Sequence, residues 1–198
     1  MSSQWLLSFI IFALSMSISP GPNNLMVMAT GANFGWKKAI LHILAVSFGF
    51  LILLMMSIFG VAEIIHRIPM SYSVLKVIGS IYLIYLATKL ALSNARINVS
   101  SEAKSYSFWD VMMFQFANPK GWMMAIGAAS TFFPPNTPIL SFAIISGLIF
   151  LIINILSNGI WALMGVSLIS FLNSDKKLKT FNLLIAFTLI LSIYFVIN

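Results

Sequence analysis

Cysteine is absent from the 198 residues, which removes disulfides, thiolate metal sites and thiol redox chemistry together. A membrane-embedded thiol oxidoreductase is thereby excluded. Charge is nearly as scarce, at 8% of residues against about 25% in an ordinary soluble domain. So few charges cannot cover a water-facing surface, so most of this surface must face lipid. Asp and Glu number only four, and Glu63 and Asp110 lie at the ends of apolar blocks rather than deep within them. Hard cations need clustered oxygen ligands, mainly carboxylates, so no metal site is expected in these blocks. Nor do they hold a nucleophile with a matching base, and neither an enzyme nor a cofactor is expected. No basic residue precedes Lys37, so a cleavable signal is not expected and the apolar start should persist as a first helix.

What is present is hydrophobic, at 60% of the chain, and it lies in long blocks. From Ile139 to Leu172 there is no Asp, Glu, Lys or Arg. A span needs roughly 20 apolar residues to cross a hydrocarbon core of about 30 Å. Breaker and charge signals divide the chain into six such segments: Gln4–Gly31, Ala39–Ile65, Tyr72–Ser93, Phe108–Phe133, Ile139–Leu172 and Thr180–Ile197. Lys76 and Lys89 trim the third. Pro69, Pro134, Pro135 and Pro138 fall between segments, as breakers should. The fold class is therefore all-α, a polytopic membrane protein embedded in a lipid bilayer.

The net charge of +7 forms no stripe on a soluble face, so no nucleic-acid partner is expected. Lys37, Lys38, Lys89, Arg96, Lys104, Lys176, Lys177 and Lys179 all follow odd-numbered segments, whereas only Arg67 and Lys76 lie on the other side. Basic loops stay in the cytoplasm, so both termini are expected on the opposite, outer side. Trp5, Trp36 and Trp109 sit near segment ends, where amphipathic rings favour the interface. The chain reads as one membrane domain: a repeat over about 1–93, a cytoplasmic loop over about 94–107, and a second repeat over about 108–198. Three segments per repeat is an odd number, so the two three-helix repeats must be inverted.

Three prolines lie inside segments. Pro20 and Pro22 occur in Ser19-Pro20-Gly21-Pro22-Asn23-Asn24, and Pro119 occurs in Asn118-Pro119-Lys120-Gly121. Pro119 follows Pro20 by 99 positions, half the chain length, so the breaks correspond as in an inverted repeat. Proline removes a helical donor and clashes with the preceding turn. Ser19 and Asn118 are good N-caps followed by Pro, which is favoured at the first helical position. The first and fourth helices are thus expected to break at mid-membrane. Unpaired backbone cannot face hydrocarbon, so it must line a cavity or face other protein. Helix N-termini there attract a carboxylate, and freed carbonyls can receive an ammonium group. Either break alone could be a packing kink; two matched breaks with extra polar residues favour a site for a zwitterion.

Lys120 lies about eleven residues beyond Trp109, roughly 16 Å into the membrane. A charge at that depth costs at least about 2.5–3.5 kcal/mol and is usually functional. Its expected partners are a substrate carboxylate, Asn23 or Asn24, and freed carbonyls. Asn154 and Asn158, spaced i, i+4, share a helix face that either lines the cavity or bonds between helices. Gln115, one turn before Pro119, joins the candidate site. The candidate substrate-binding set is therefore Pro20, Gly21, Pro22, Asn23, Asn24, Gln115, Asn118, Pro119, Lys120, Asn154 and Asn158, with Trp122 as a neighbour of the substrate side chain. His42 reads as a packed interfacial residue before a proton carrier, and Gly31 with Gly35 as a close-packing G-x-x-x-G. The methionine pairs Met55–Met56, Met112–Met113 and Met123–Met124 point in different directions on a helix, which favours apolar filler over copper.

These residues resemble the lysine exporter (LysE/RhtB) family of amino acid exporters. The likeness rests on Ser19-Pro20-Gly21-Pro22-Asn23-Asn24 with Gly35-Trp36-Lys37-Lys38, on Phe108-Trp109 leading to Asn118-Pro119-Lys120, and on Asn158-Gly159-Ile160-Trp161-Ala162-Leu163-Met164-Gly165. It covers essentially the whole chain. It implies efflux of a small amino acid across the bacterial inner membrane, driven by the proton-motive force, with a proton as coupling ion. The third motif looks most like the branch handling cysteine and O-acetylserine, with homoserine and threonine exporters close behind. With no deep carboxylate, Lys120, His42 or the substrate is left to carry an exchanged proton. The expected mechanism is alternating access around the two breaks. The alternatives are a metal-ion exporter of the wider superfamily and a non-transporting assembly subunit; a homodimer is left open.

Overall fold

The computed structural model describes residues 2–61, 69–92, 106–134, 137–172 and 174–197. Glu63, Arg67, Arg96, Lys104, Pro135 and most of the expected 94–107 loop lie outside them, as do the side chains of Lys76 and Lys89. Among the described residues there are seven α-helices and no strand. Two of these helical stretches, Pro22–Gly60 and Ile139–Ser167, are long and apolar enough to cross a membrane, and Ser3–Ile18 is a shorter apolar helix.

Helix α1 (Ser3–Ile18) starts at Ser2, whose hydroxyl accepts the Trp5 N–H at 3.2 Å. It ends at Ser19, held at ψ 141° because a residue before proline is driven out of helical geometry. Helix α2 (Pro22–Met56) begins with Pro22 at its first turn and extended Gly21 as N-cap. Ser19, expected to cap the second half-helix, instead closes the first, and Pro22 rather than Pro20 opens the next. Two prolines flanking a glycine hold the chain extended for longer than one would.

Straight, the 35 residues of α2 would reach about 52 Å, well beyond a bilayer core. Gly35 prevents this. Its φ of 76° and ψ of 179° belong to a region essentially restricted to glycine, and the helix folds back there. Thr30 Oγ1 and His42 Nδ1 are 2.8 Å apart, whereas twelve residues of straight helix would separate them by about 18 Å. The loop expected over residues 32–38 is thus a one-residue reversal. A π-helical turn, Ser57–Val61, follows.

Helix α3 is Pro69–Ala91. Helix α4 (Phe108–Ala117) is capped by Ser107 and stops at Asn118, where α5 (Pro119–Thr131) starts. Helix α6 (Ile139–Ser167) runs into a short 3-10 turn, Leu168–Ser170. Helix α7 (Asp175–Ile197) begins before the expected Thr180, so Lys176, Lys177 and Lys179 lie on its first turns rather than in a loop. Lys179 donates to the Ala91 carbonyl at 2.7 Å, neutralising the C-terminal end of α3. Asn33 and Asn182 exchange amide hydrogen bonds of 2.8 and 3.0 Å, tying the Gly35 turn to α7. Lys37, Lys38 and the α7 lysines consequently share one end of the bundle.

Lipid tails supply no hydrophobic drive between helices, so close packing must hold them. Helices α2 and α6 achieve it with glycine. A Cβ on Gly31 would stand 2.5 Å from the Ala162 carbonyl oxygen, and one on Gly165 would overlap the Met28 carbonyl. Of the expected pair, Gly31 packs; Gly35 has nothing within 4 Å of a Cβ and serves the turn instead. On the other face of α6, Leu140, Leu148, Ile152, Leu156 and Leu163 are exposed.

Candidate functional site at two facing helix breaks

The two interruptions meet. Asn23 Nδ2 donates to Gln115 Oε1 at 2.8 Å, and Gln115 Nε2 returns a bond to Asn23 Oδ1 at 3.2 Å. One side chain begins α2 and the other ends α4, so this amide pair joins one break to the other. Gln115 comes so near because α2 carries Gly49 there; a Cβ at that position would lie 2.7 Å from the Met112 carbonyl. Asn118 behaves as expected: its side chain accepts the Lys120 N–H at 3.1 Å, with Pro119 at the first position.

Lys120 crosses from the second break to the first. Its Nζ donates to the Ser19 carbonyl oxygen at 2.6 Å, a carbonyl freed because Pro20 and the extended Gly21 end the helical ladder. Gly21 makes the crossing feasible, since a Cβ there would stand 2.8 Å from Lys120 Cδ. Beside this contact, Asn24 Nδ2 donates to the Ser17 carbonyl at 3.0 Å and Ser17 Oγ donates to Asn154 Oδ1 at 3.0 Å. Asn158 Nδ2 donates to the Asn154 carbonyl at 2.9 Å.

These groups enclose a cavity. Its volume is about 30 Å³. That admits water (one needs roughly 10–15 Å³ by this measure) and little more. Asn23, Asn24, Gln115, Asn118, Lys120, Asn154 and Asn158 line it. Pro20, Gly21, Pro22 and Pro119 do not: Pro20 is exposed and the other three are buried. Ser17 and Gly121, with the apolar Met16, Val46, Phe50 and Met124, complete the lining. Trp122 is not among the lining residues; its indole donates to the Phe116 carbonyl at 2.9 Å. Two buried polar atoms of lining residues lack a hydrogen-bond partner, the donor Asn154 Nδ2 and the acceptor Asn158 Oδ1. Buried polar atoms are nearly always paired, so an orphaned donor and acceptor at one cavity mark a place for a polar guest.

A family model, the LysE type translocator, matches residues 14–198. The chain belongs to this family. It is accordingly a membrane transporter and not an enzyme. The chain is 30% identical over 166 residues to the cysteine/O-acetylserine efflux protein of Escherichia coli (strain K12), covering 83% of this chain and 84% of that one. The protein of the same name from Salmonella typhimurium (strain LT2) shows the same identity and coverage. That of Shigella flexneri is 30% identical over 159 residues, 80% of each chain. No solved structure matches.

Sequence reasoning for this LysE type translocator missed Ser17 and the four apolar wall residues. Ser17 is a small polar residue two positions before the first break, but a lone serine is common in apolar helices. Met16, Val46, Phe50 and Met124 carry no signal separating a pocket wall from packing. His42 lies outside the cavity lining, buried and in hydrogen-bond contact with Thr30.

Proposed function

We propose that this translocator exports a small neutral amino acid of the cysteine or O-acetylserine kind across the bacterial inner membrane, with the cavity between the two breaks as its binding site. One observation carries the reading. A lysine ammonium, an orphaned amide donor and an orphaned amide acceptor belong to residues lining one buried space, and the lysine is bonded to a freed backbone carbonyl beside it. A zwitterion has the complementary groups. Its carboxylate takes Lys120 and the N-terminal end of α5, where helix N–H groups and the dipole favour negative charge. Its ammonium takes the Ser19 carbonyl and Asn158 Oδ1, while Asn154 Nδ2 adds a donor to the carboxylate. Met16, Val46, Phe50 and Met124 offer a short apolar wall, suited to a small uncharged side chain. The names of the relatives support the cysteine/O-acetylserine class over the homoserine/threonine class.

The cavity is too tight for an amino acid in this conformation, which supports alternating access. Binding must separate Lys120 from Ser19 and loosen the Asn23–Gln115 pair, coupling occupancy to the relation between the two halves. In this reading α1 with the first part of α2, the second part of α2, α3, α4 with α5, α6 and α7 are six spans forming two inverted three-helix repeats. Both termini are periplasmic and the lysine-bearing end is cytoplasmic, as the basic residues gathered there favour. The proton-motive force drives export.

The test is release of preloaded labelled amino acids from proteoliposomes, with and without an imposed pH gradient. Release of cysteine or O-acetylserine, accelerated by the gradient, is expected. No release of any small neutral amino acid would overturn the reading. A metal-ion exporter is the weaker alternative, because the relatives are named as cysteine/O-acetylserine efflux proteins.

A further inference from the structure

The cavity is separated from the far end of the bundle by a line of aromatic rings. Phe50 lines the cavity and stands 4.9 Å, centroid to centroid, from Phe150. Phe150 is 5.5 Å from Phe9 in an edge-on arrangement, and Phe9 is stacked 5.1 Å from Trp5. Phe9 and Phe150 are fully buried and Phe50 is 3% exposed. Laid end to end, these three steps would reach at most about 15.5 Å. Trp5 ends the line at a groove of about 610 Å³ lined by Ser2, Ser3, Thr137 and Ser141 together with the apolar Leu6, Pro138 and Ile145. Its indole N–H is fixed to the Phe132 carbonyl at 2.7 Å, and the Phe132 ring closes on Phe9 at 5.3 Å.

The opposite side of the cavity is built differently. Between it and the Gly35 turn lies a cluster of small or aliphatic residues (Val27, Ala39, Ile43, Val111, Ala162) with Tyr106 and Phe108 packed against it, interspersed with the buried polar Thr30, Asn33, His42 and Ser157. An amino acid leaving toward the turn would pass polar side chains. One leaving toward the groove would meet ring against ring, with no polar group offered by the column itself.

We propose that Phe9, Phe50 and Phe150, locked by Trp5, are the gate between the substrate cavity and the groove, and that the groove is the vestibule on the release side. The proposal rests on the transporter reading of the cavity. The structure is the state shut toward the groove. Phenylalanine is well matched to a gate, because its ring excludes water and zwitterions when packed, yet swings about two torsions without breaking a hydrogen bond. Trp5 adds the one polar latch, at the end where water is available to replace it.

The native absence of cysteine makes the test direct. A Val46→Cys substitution puts a single thiol on the cavity wall, to be reacted with a membrane-impermeant methanethiosulfonate reagent in right-side-out and inside-out vesicles. In the otherwise native chain, labelling from the groove side is expected to be slow. Phe9→Ala should raise it by an order of magnitude or more from that side and leave the other side unchanged. Phe150→Leu, which keeps most of the volume, should raise it less and gives the same information if Phe9→Ala fails to insert. No rise in either variant, or an equal rise from both sides, overturns the gate. Amino acid release by the native chain is measured in parallel. Its absence would count against the transporter reading, while the labelling asymmetry still decides the gate.

Discussion

Lys120 Nζ lies 2.6 Å from the carbonyl oxygen of Ser19, a residue 101 positions earlier in the chain. The bond links the start of one half-helix to the end of another and sets a lysine deep in the bundle against a bare peptide group. An ammonium at this depth is tolerated because the break supplies an acceptor that an intact helix would have used internally. It also holds the cation where a carboxylate can collect it.

Gly21 is the residue that lets Lys120 reach. Gly21→Ala sets a methyl group 2.8 Å from Lys120 Cδ, and the flexible side chain must move. Since Gly21 is at φ −169°, alanine adopts the backbone without strain. The expected result is about a tenfold loss of efflux, or ~1.4 kcal/mol of transport barrier, with normal membrane levels. In a Lys120→Ala background the same change should have almost no further effect, as neighbours acting through one contact are non-additive. Additive losses would separate Gly21 from the lysine.

Asn158 gives a test that distinguishes a ligand group from a structural one. Its Oδ1 is buried without a partner, a condition that costs about 1–3 kcal/mol. Asn158→Leu removes that cost together with the bond to the Asn154 carbonyl. Thermal stability in detergent is expected to hold or rise while efflux falls by about tenfold or more. Stability lost with efflux intact would make Asn158 a packing residue.

Two glycines should fail for different reasons. Gly165→Val drives a side chain into the Met28 carbonyl and forces α2 and α6 apart, an overpacking cost of about 1–3 kcal/mol or more. Gly35→Ala meets no atom within 4 Å, but its backbone is in a region that costs about 1–3 kcal/mol for other residues. Both variants should melt earlier in detergent. Enlarging the side chain from Ala to Leu should deepen the loss at Gly165 and leave it nearly unchanged at Gly35, where a Cβ meets nothing within 4 Å; equal size dependence at both would contradict the distinction.

Much of this site could be read from the chain because prolines in apolar segments and a deep lysine are chemically expensive, so they stand out. Seven of the eleven candidate residues line the cavity, although the prolines that drew attention to the breaks do not. Caps were less legible. Ser19-Pro20 and Asn118-Pro119 look alike, yet the second proline at Pro22 moves the first helix start beyond Gly21. The helix reversal at Gly35 was hidden because a single left-handed glycine needs no turn-forming neighbours, and Gly31-x-x-x-Gly35 imitates a packing motif. The apolar wall could not be read at all: whether Phe50 faces a cavity or a core depends on the helices across from it, and no local pattern records that. The aromatic column is likewise a property of three helices together, with Phe9 on α1, Phe50 on α2 and Phe150 on α6.

Topology gives an independent check on the spans. A reporter fused after Asn198 should read as periplasmic and one inserted after Lys38 as cytoplasmic. A cytoplasmic reading at Asn198 would overturn the orientation.

The central claim is that the two breaks bind the substrate through Lys120. Its most direct measurement is release of labelled O-acetylserine or cysteine from proteoliposomes holding equal amounts of native and Lys120→Ala protein. Loss of release by about a hundredfold or more, ~2.7 kcal/mol of barrier, with insertion and folding intact, is the expected result. Release by Lys120→Ala at the native rate would contradict it.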